Sequence, residues 1–202
     1  MDNHFDKGEY LKEQFNEFWS LILNNKQDYF SKMTDESYDL LKSALSNINN
    51  IITYNTTLKT VDKICDIFNI QQEEKYGILQ NVKNSKPSDN GFDIEYRGSI
   101  KFVCEVKCNR PINGGNRFGS AQKTGIEKDL FALLNGKTKS SIITPEMKTY
   151  YKFMSIYNFE DNTEKAVMHY LSHLPKELEG KVKLYHNKIE MNKDFVYVLL
   201  LK

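Results

Sequence analysis

Along the first 80 residues, apolar positions recur at helical spacing and polar residues fill the gaps. Leu11, Phe15, Phe18 and Ile22 form one stripe, with Asn24-Asn25 as a stop, which predicts a helix over 8–24. Thr34 is placed to cap a second helix running to about Tyr54, carrying Tyr38, Leu41, Leu45, Ile48 and Ile52 on one face. A third is predicted over about 58–68 through Val61, Ile64, Cys65 and Phe68. A short fourth spans Glu73 to Asn81, weakened at Gly77 because glycine loses more backbone freedom in a helix.

The pattern changes at Lys86-Pro87-Ser88-Asp89-Asn90-Gly91, a run of turn-forming residues. Two β-rich runs follow, Phe92–Tyr96 and Ile100–Cys108, separated by Arg97-Gly98-Ser99, and predict an antiparallel hairpin. A glycine-bearing loop, Asn109 to Gly119, leads to a helix capped by Ser120, with Ile126, Leu130, Leu133 and Leu134 on its apolar side and Gly136 at its end. A strand near Tyr151–Tyr157, a helix near Thr163–Leu174 and a closing strand at Phe195–Leu201 complete the chain. There is no internal repeat or low-complexity linker. The expected architecture is one α/β (α+β) domain, with a helical subregion at 1–70 and a core at 71–202.

Composition narrows the class. The chain has 202 residues, 40% hydrophobic and 27% charged, which suits a folded domain and excludes a disordered or collagen-like chain. The longest wholly apolar run, Val198-Leu199-Leu200-Leu201, falls far short of the ~20 residues that cross a bilayer. Met1-Asp2-Asn3-His4 has no signal-peptide pattern, and Cys65, Cys104 and Cys108 make no disulfide framework, so a cytoplasmic protein without membrane attachment is expected. Net charge is only +1, yet residues 1–100 carry 11 basic against 16 acidic side chains and residues 101–202 carry 17 against 11. That asymmetry hints at a polyanion-facing second half.

The chemistry concentrates in the hairpin. Side chains alternate along a strand, so Val103, Glu105 and Lys107 share one face while Phe102, Cys104, Val106 and Cys108 share the other. A carboxylate and an ammonium bracketed by apolar residues need a compensating partner. If Tyr96 pairs with Ile100, Asp93 faces Val103 and lies diagonal to Glu105, about 7–8 Å away. Two converging carboxylates make a hard oxygen site for Mg²⁺. If Tyr96 pairs with Ser99 instead, Asp93 falls on the opposite face. The plain structural alternative is a strand-face Glu–Lys ion pair, worth about 0–1 kcal/mol when exposed.

Asp93 followed by Glu105-Val106-Lys107 resembles the signature of the PD-(D/E)xK nuclease superfamily, the fold of many type II restriction endonucleases. The resemblance covers about residues 73–157. It implies a restriction-endonuclease-like mixed sheet flanked by helices. It also implies metal binding by Asp93, Glu105 and the Val106 carbonyl, and activation or orientation of the attacking water by Lys107. The family often adds an acid from the helix before the hairpin, here Glu73 or Glu74, with Glu74 as the candidate. Phe92 stands where the family usually has proline, and the pattern places no strand before the hairpin.

Residues 101–139 carry eight basic and three acidic side chains. Arg110 and Arg117 flank a glycine-bearing loop suited to gripping phosphates, and the helix N-terminus at Ser120 adds backbone donors. By resemblance, Gln122 and Lys123 take the place of residues near the scissile phosphate; Lys128 is a further DNA-contact candidate. Other motifs fail on chemistry. Gly115–Gly119 has phosphate-loop spacing, but Ser120 stands where the lysine belongs. Ser120-Ala-Gln-Lys123 and Lys123-Thr-Gly125 would require one lysine to serve two motifs. His169 and His173 have zinc-binding spacing without the accompanying glutamate.

The resemblance implies a Mg²⁺-dependent endonuclease acting on double-stranded DNA, sequence-specific as in type II restriction, and working as a homodimer through which both strands are cut. The N-terminal helices are candidates for the dimer interface or for added DNA contacts. The alternative from another class is a non-catalytic DNA-binding or protein-interaction module on the same fold; action on RNA or single strands is a third.

Overall fold

The computed structural model describes residues 5–86, 91–112, 115–137, 140, 142, 144–159, 161–187 and 189–202. The chain is an α/β protein. Its helices are α1 (Lys7–Leu23), α2 (Asp35–Phe68), α3 (Gln72–Asn84), α4 (Ser120–Asn135) and α5 (Asp161–Leu171). Its strands are β1 (Ile94–Arg97), β2 (Lys101–Lys107), β3 (Tyr151–Tyr157), β4 (Val182–Leu184) and β5 (Val196–Leu201). Short 3₁₀ turns occupy Phe30–Lys32 and Thr144–Thr149. Among the described residues, no helix is long and apolar enough to cross a membrane.

Two expected helices merge. The pattern suggested a break between Tyr54 and Leu58, whereas α2 runs unbroken for 34 residues. The threonines at that point keep the helix intact by bonding back to it: Thr56 and Thr57 donate to the carbonyls of Ile52 and Thr53 at 2.7 and 2.8 Å. Thr34 caps α2 as expected, accepting from the Ser37 amide at 3.2 Å. The expected cap at Ser120 shifts by one. Gly119 is the N-cap of α4, and Ser120 is the first helical residue.

The sheet has the order β1-β2-β3-β5-β4. β1 and β2 are antiparallel, and the other three pairings are parallel. β4 has only three residues and inserts beyond β5. It escapes the sequence pattern because three residues carry too little alternation to register. Among the described residues, no strand precedes β1, which forms one edge of the sheet.

Both faces of the sheet are covered. Phe102, Cys104, Val106, Phe153, Tyr197 and Leu199 pack against Val61, Ile64 and Cys65 of α2 and Ile78 and Val82 of α3. On the other face, Val103, Met154, Ile156, Val196 and Val198 pack against Ile126, Leu130 and Leu133 of α4 and Ala166, Val167 and Tyr170 of α5. Within the first layer, the Thr60 hydroxyl donates to Ser155 Oγ at 2.7 Å, so the buried serine is satisfied. Ile64 has no solvent exposure. Ile64→Ala is expected to lower stability by about 2–4 kcal/mol in urea unfolding, since a cavity adds to the lost transfer energy. A loss below about 1 kcal/mol would mean that this helix–sheet layer is loosely packed.

The chain divides into two compact units, 1–48 and 49–202. This division falls within α2, whose second half is part of the sheet's core. The first unit holds α1 and the start of α2. It has no buried residue in α1, and it exposes Leu21, Leu40, Tyr38 and Ile22 among other large apolar side chains.

Candidate active site

The hairpin register pairs Ile94 with Cys104, Tyr96 with Phe102 and Arg97 with Lys101. Tyr96 thus pairs two residues further along than the expected Ile100. The shift is even, so side-chain parity is preserved. Extending the register by one step sets Asp93 directly opposite Glu105. Asp93 Oδ2 accepts a 2.6 Å hydrogen bond from the Val106 amide. Along a strand, one residue's N–H and C=O leave on the same side, so the Val106 carbonyl also points toward the edge where Asp93 lies.

Phe92, next to Asp93, is braced. Glu95 accepts from the Phe92 amide at 3.2 Å and from Ser140 Oγ at 2.7 Å. Asp93 is open to solvent along a cleft of about 230 Å³ whose walls include Tyr54, Thr57, Val82 and Phe92. Protein surrounds it on its other sides. That crowding is the main reason its carboxyl titrates above the usual range, against the lowering effects of the Val106 amide, Lys137 and Lys107.

Glu105 is 4% exposed, on the sheet face covered by α4. Burial first, then the charge of Asp93, pushes its carboxyl up to about 8, and Lys137 only partly offsets this. The Lys137 ammonium lies 2.5 Å from Glu105 Oε1 and 2.5 Å from the Gly91 carbonyl, with the Phe92 ring centroid 5.0 Å away. The Glu105 contact is a close ion pair rather than an aligned hydrogen bond, because that buried oxygen receives none from the described residues. Lys107, one residue-pair further along the same face, is ion-paired with Asp129 of α4.

Sequence reasoning missed Asp129 and Lys137. Asp129 directly precedes the buried Leu130, a position bordering the apolar stripe of α4. Lys137 follows Gly136, whose φ of +94° turns the chain out of the helix. Neither position identifies its partner without knowing how α4 lies on β2.

Glu74 does not join this cluster. Its carboxylate accepts from the hydroxyls of Tyr96 and Ser99, the latter at 2.6 Å, which hold it below the usual carboxylate range. It therefore secures the closed end of the hairpin, about 13 Å along the strand from Glu105 at ~3.3 Å per residue. Gly98 belongs to the same closed end, where a Cβ would come within 1.9 Å of the Tyr96 hydroxyl. Glu73 is exposed in the first turn of α3.

The basic candidates separate into groups. Arg110 stacks over the Phe159 ring at 5.3 Å. Arg117 and Lys123 lie near enough to His169 for their charges to help depress its titration, after burial and His173. Gln122 is engaged in the local structure: its side chain accepts from the Gly119 amide and donates to the Arg110 carbonyl, both at 2.8 Å. Lys128 is exposed and lies about 200° round the helix from Ile126, on the side away from the sheet. His169 and His173 stack with centroids 4.4 Å apart, and His173 Nδ1 is 2.8 Å from the His169 carbonyl. Cys104 is buried in the core.

Among the described residues, no three acidic, histidine or cysteine side chains gather closely enough to hold a metal by themselves. The donor set nevertheless fits Mg²⁺, which commonly takes one or two carboxylates and completes its shell with water and substrate oxygens. A further observation favours that fit: a lysine ammonium against the buried Glu105 carboxylate stands in as the local cation. Comparison of the chain with family models, with curated proteins and with solved structures finds no match to any of the three.

Proposed function

We propose that the chain is a Mg²⁺-dependent endonuclease that hydrolyses phosphodiester bonds of double-stranded DNA in the cytoplasm, as a sequence-specific enzyme of the restriction type. The observation that carries this reading is the placement of Asp93 opposite Glu105, with Lys107 on the same strand face as Glu105. Asp93, Glu105 and the Val106 carbonyl would hold the ion. When bound, Mg²⁺ neutralises phosphate charge and lowers the pKa of a coordinated water. Lys107, fixed in direction by Asp129, positions the attacking water. Arg110, Arg117 and Lys123 supply positive charge for the DNA backbone.

The test is incubation of the full chain with unmodified phage-length duplex DNA, with and without Mg²⁺, and with RNA or single-stranded DNA as competitors. Discrete Mg²⁺-dependent fragments are expected. A second reading, a non-catalytic DNA-binding or protein-interaction module, is favoured by the pairing of Glu105 with Lys137 and Lys107 with Asp129, since such ion pairs also serve as structure. DNA binding without cleavage at any metal concentration would select it.

Homodimer formation is part of the proposal. The apolar side chains exposed on α1 and the first part of α2 supply a surface for it. Sedimentation equilibrium should then return twice the 23.6 kDa chain mass. A monomer at micromolar concentration would remove the dimer from the mechanism.

A further inference from the structure

We propose that Lys137 is a resident cation in the metal seat, and that a divalent ion binds by displacing it. This rests on the metal-binding reading above. The Lys137 ammonium has the surroundings of a bound cation: a carboxylate oxygen of Glu105 and the Gly91 carbonyl, each at 2.5 Å, with the Phe92 ring face 5.0 Å away. Asp93 stands within range of its charge. A divalent ion ligated by Asp93 and Glu105 would lie against this ammonium, and like charges at such range exclude one another.

The other lysine has no reason to leave. Lys107 has its own carboxylate, Asp129, which is not one of the two proposed metal ligands. Lys137 instead contacts Glu105, a proposed metal ligand, and has no second carboxylate contact among the described ion pairs. It also sits on a flexible four-carbon stem just beyond the end of α4. It can therefore swing to solvent while α4 stays in place.

Lys137 thus occupies the Glu105 contact while the metal is absent and lowers metal affinity below what the two carboxylates alone would provide. Once displaced, its ammonium remains at the site's border, where a substrate phosphate can pair with it.

Calorimetric titration of Mg²⁺ and of Mn²⁺ into the full chain tests this without any activity measurement. Four proteins are compared: wild type, Lys137→Met, Lys107→Met and Glu105→Gln, each with its melting curve recorded. Lys137→Met is expected to bind Mn²⁺ about tenfold more tightly than wild type, Lys107→Met not to gain, and Glu105→Gln to lose binding. In wild type, acetylation of Lys137 by an N-hydroxysuccinimide ester, read by mass spectrometry, should accelerate several-fold when Mn²⁺ is added. This second readout decides the matter should Lys137→Met fold poorly.

Equal or weaker binding by a folded Lys137→Met would overturn the displacement while leaving the metal site standing. Equal gains by both lysine variants would reduce the effect to net charge and also overturn it, as would metal-insensitive acetylation. Absence of binding by wild type and Lys137→Met alike would overturn the metal site itself, and the displacement with it.

Discussion

Asp93→Asn and Glu105→Gln should each reduce Mg²⁺-dependent cleavage of duplex DNA by about 10³-fold or more, a loss of roughly 4 kcal/mol of transition-state stabilisation. Asp93 is opposed to Glu105 by the hairpin register, and its orientation is held by the 2.6 Å bond from the Val106 amide. Replacing either carboxylate removes half of the formal negative charge offered to the ion. Both substitutions are nearly isosteric, so the hairpin and the surrounding core should persist. DNA binding, which the proposal assigns to Arg110, Arg117 and Lys123, should fall by less than about threefold in a gel-shift assay at fixed salt. Cleavage of a defined duplex at saturating Mg²⁺ checks the first part. Variants that retain cleavage within about threefold of wild type would remove these carboxylates from the chemistry.

The second large effect is on stability and depends on pH. The Glu105 carboxyl is raised from 4.5 to about 8 by burial and by Asp93. A carboxyl with a higher pKa folded than unfolded binds more protons in the folded state. Metal-free stability should therefore be greatest below about pH 4.5 as far as this group is concerned, fall as pH rises toward 8, and level off above it. Asp93 shifts in the same direction.

Glu105→Gln keeps the shape and removes the ionisation. Its melting temperature should match wild type near pH 5 and exceed it at pH 8.5, by an amount on the order of 3 kcal/mol, or roughly 5–10 °C for a chain of this size. Melting curves across this range in chelator provide the check. A gap that stays constant with pH would mean that Glu105 is already ionised at pH 5. The two predictions are independent: the first concerns the carboxylates with metal present, the second their cost without it.

Much of the fold was legible because its signals are local. Helical stripes such as Ile126, Leu130 and Leu133, the turn residues at Gly98-Ser99, and alternation through Phe102–Cys108 each arise within one element and survive folding. Less legible were features whose local signal was weak or misleading. Thr56 and Thr57 read as a break and became part of α2 through their back-bonds to Ile52 and Thr53. Strand β4 exists because β5 offers it an edge.

The candidate site divides the same way. Strand parity alone placed Glu105 and Lys107 on one face, and an even register was enough to bring Asp93 to them. The hairpin register then made Asp93 and Glu105 direct neighbours where a diagonal was expected. Which charges complete the cluster was decided only by tertiary packing. Asp129 reaches Lys107 because α4 covers that sheet face, and Lys137 reaches Glu105 because Gly136 turns the chain back over the hairpin. Glu74, expected by resemblance as an added ligand from the helix before the hairpin, is drawn instead to the hydroxyls at the hairpin's closed end. Periodicity is a property of one element and is written in its residues. Pairing between charges distant along the chain depends on where separate elements meet, which the packing of the whole core determines.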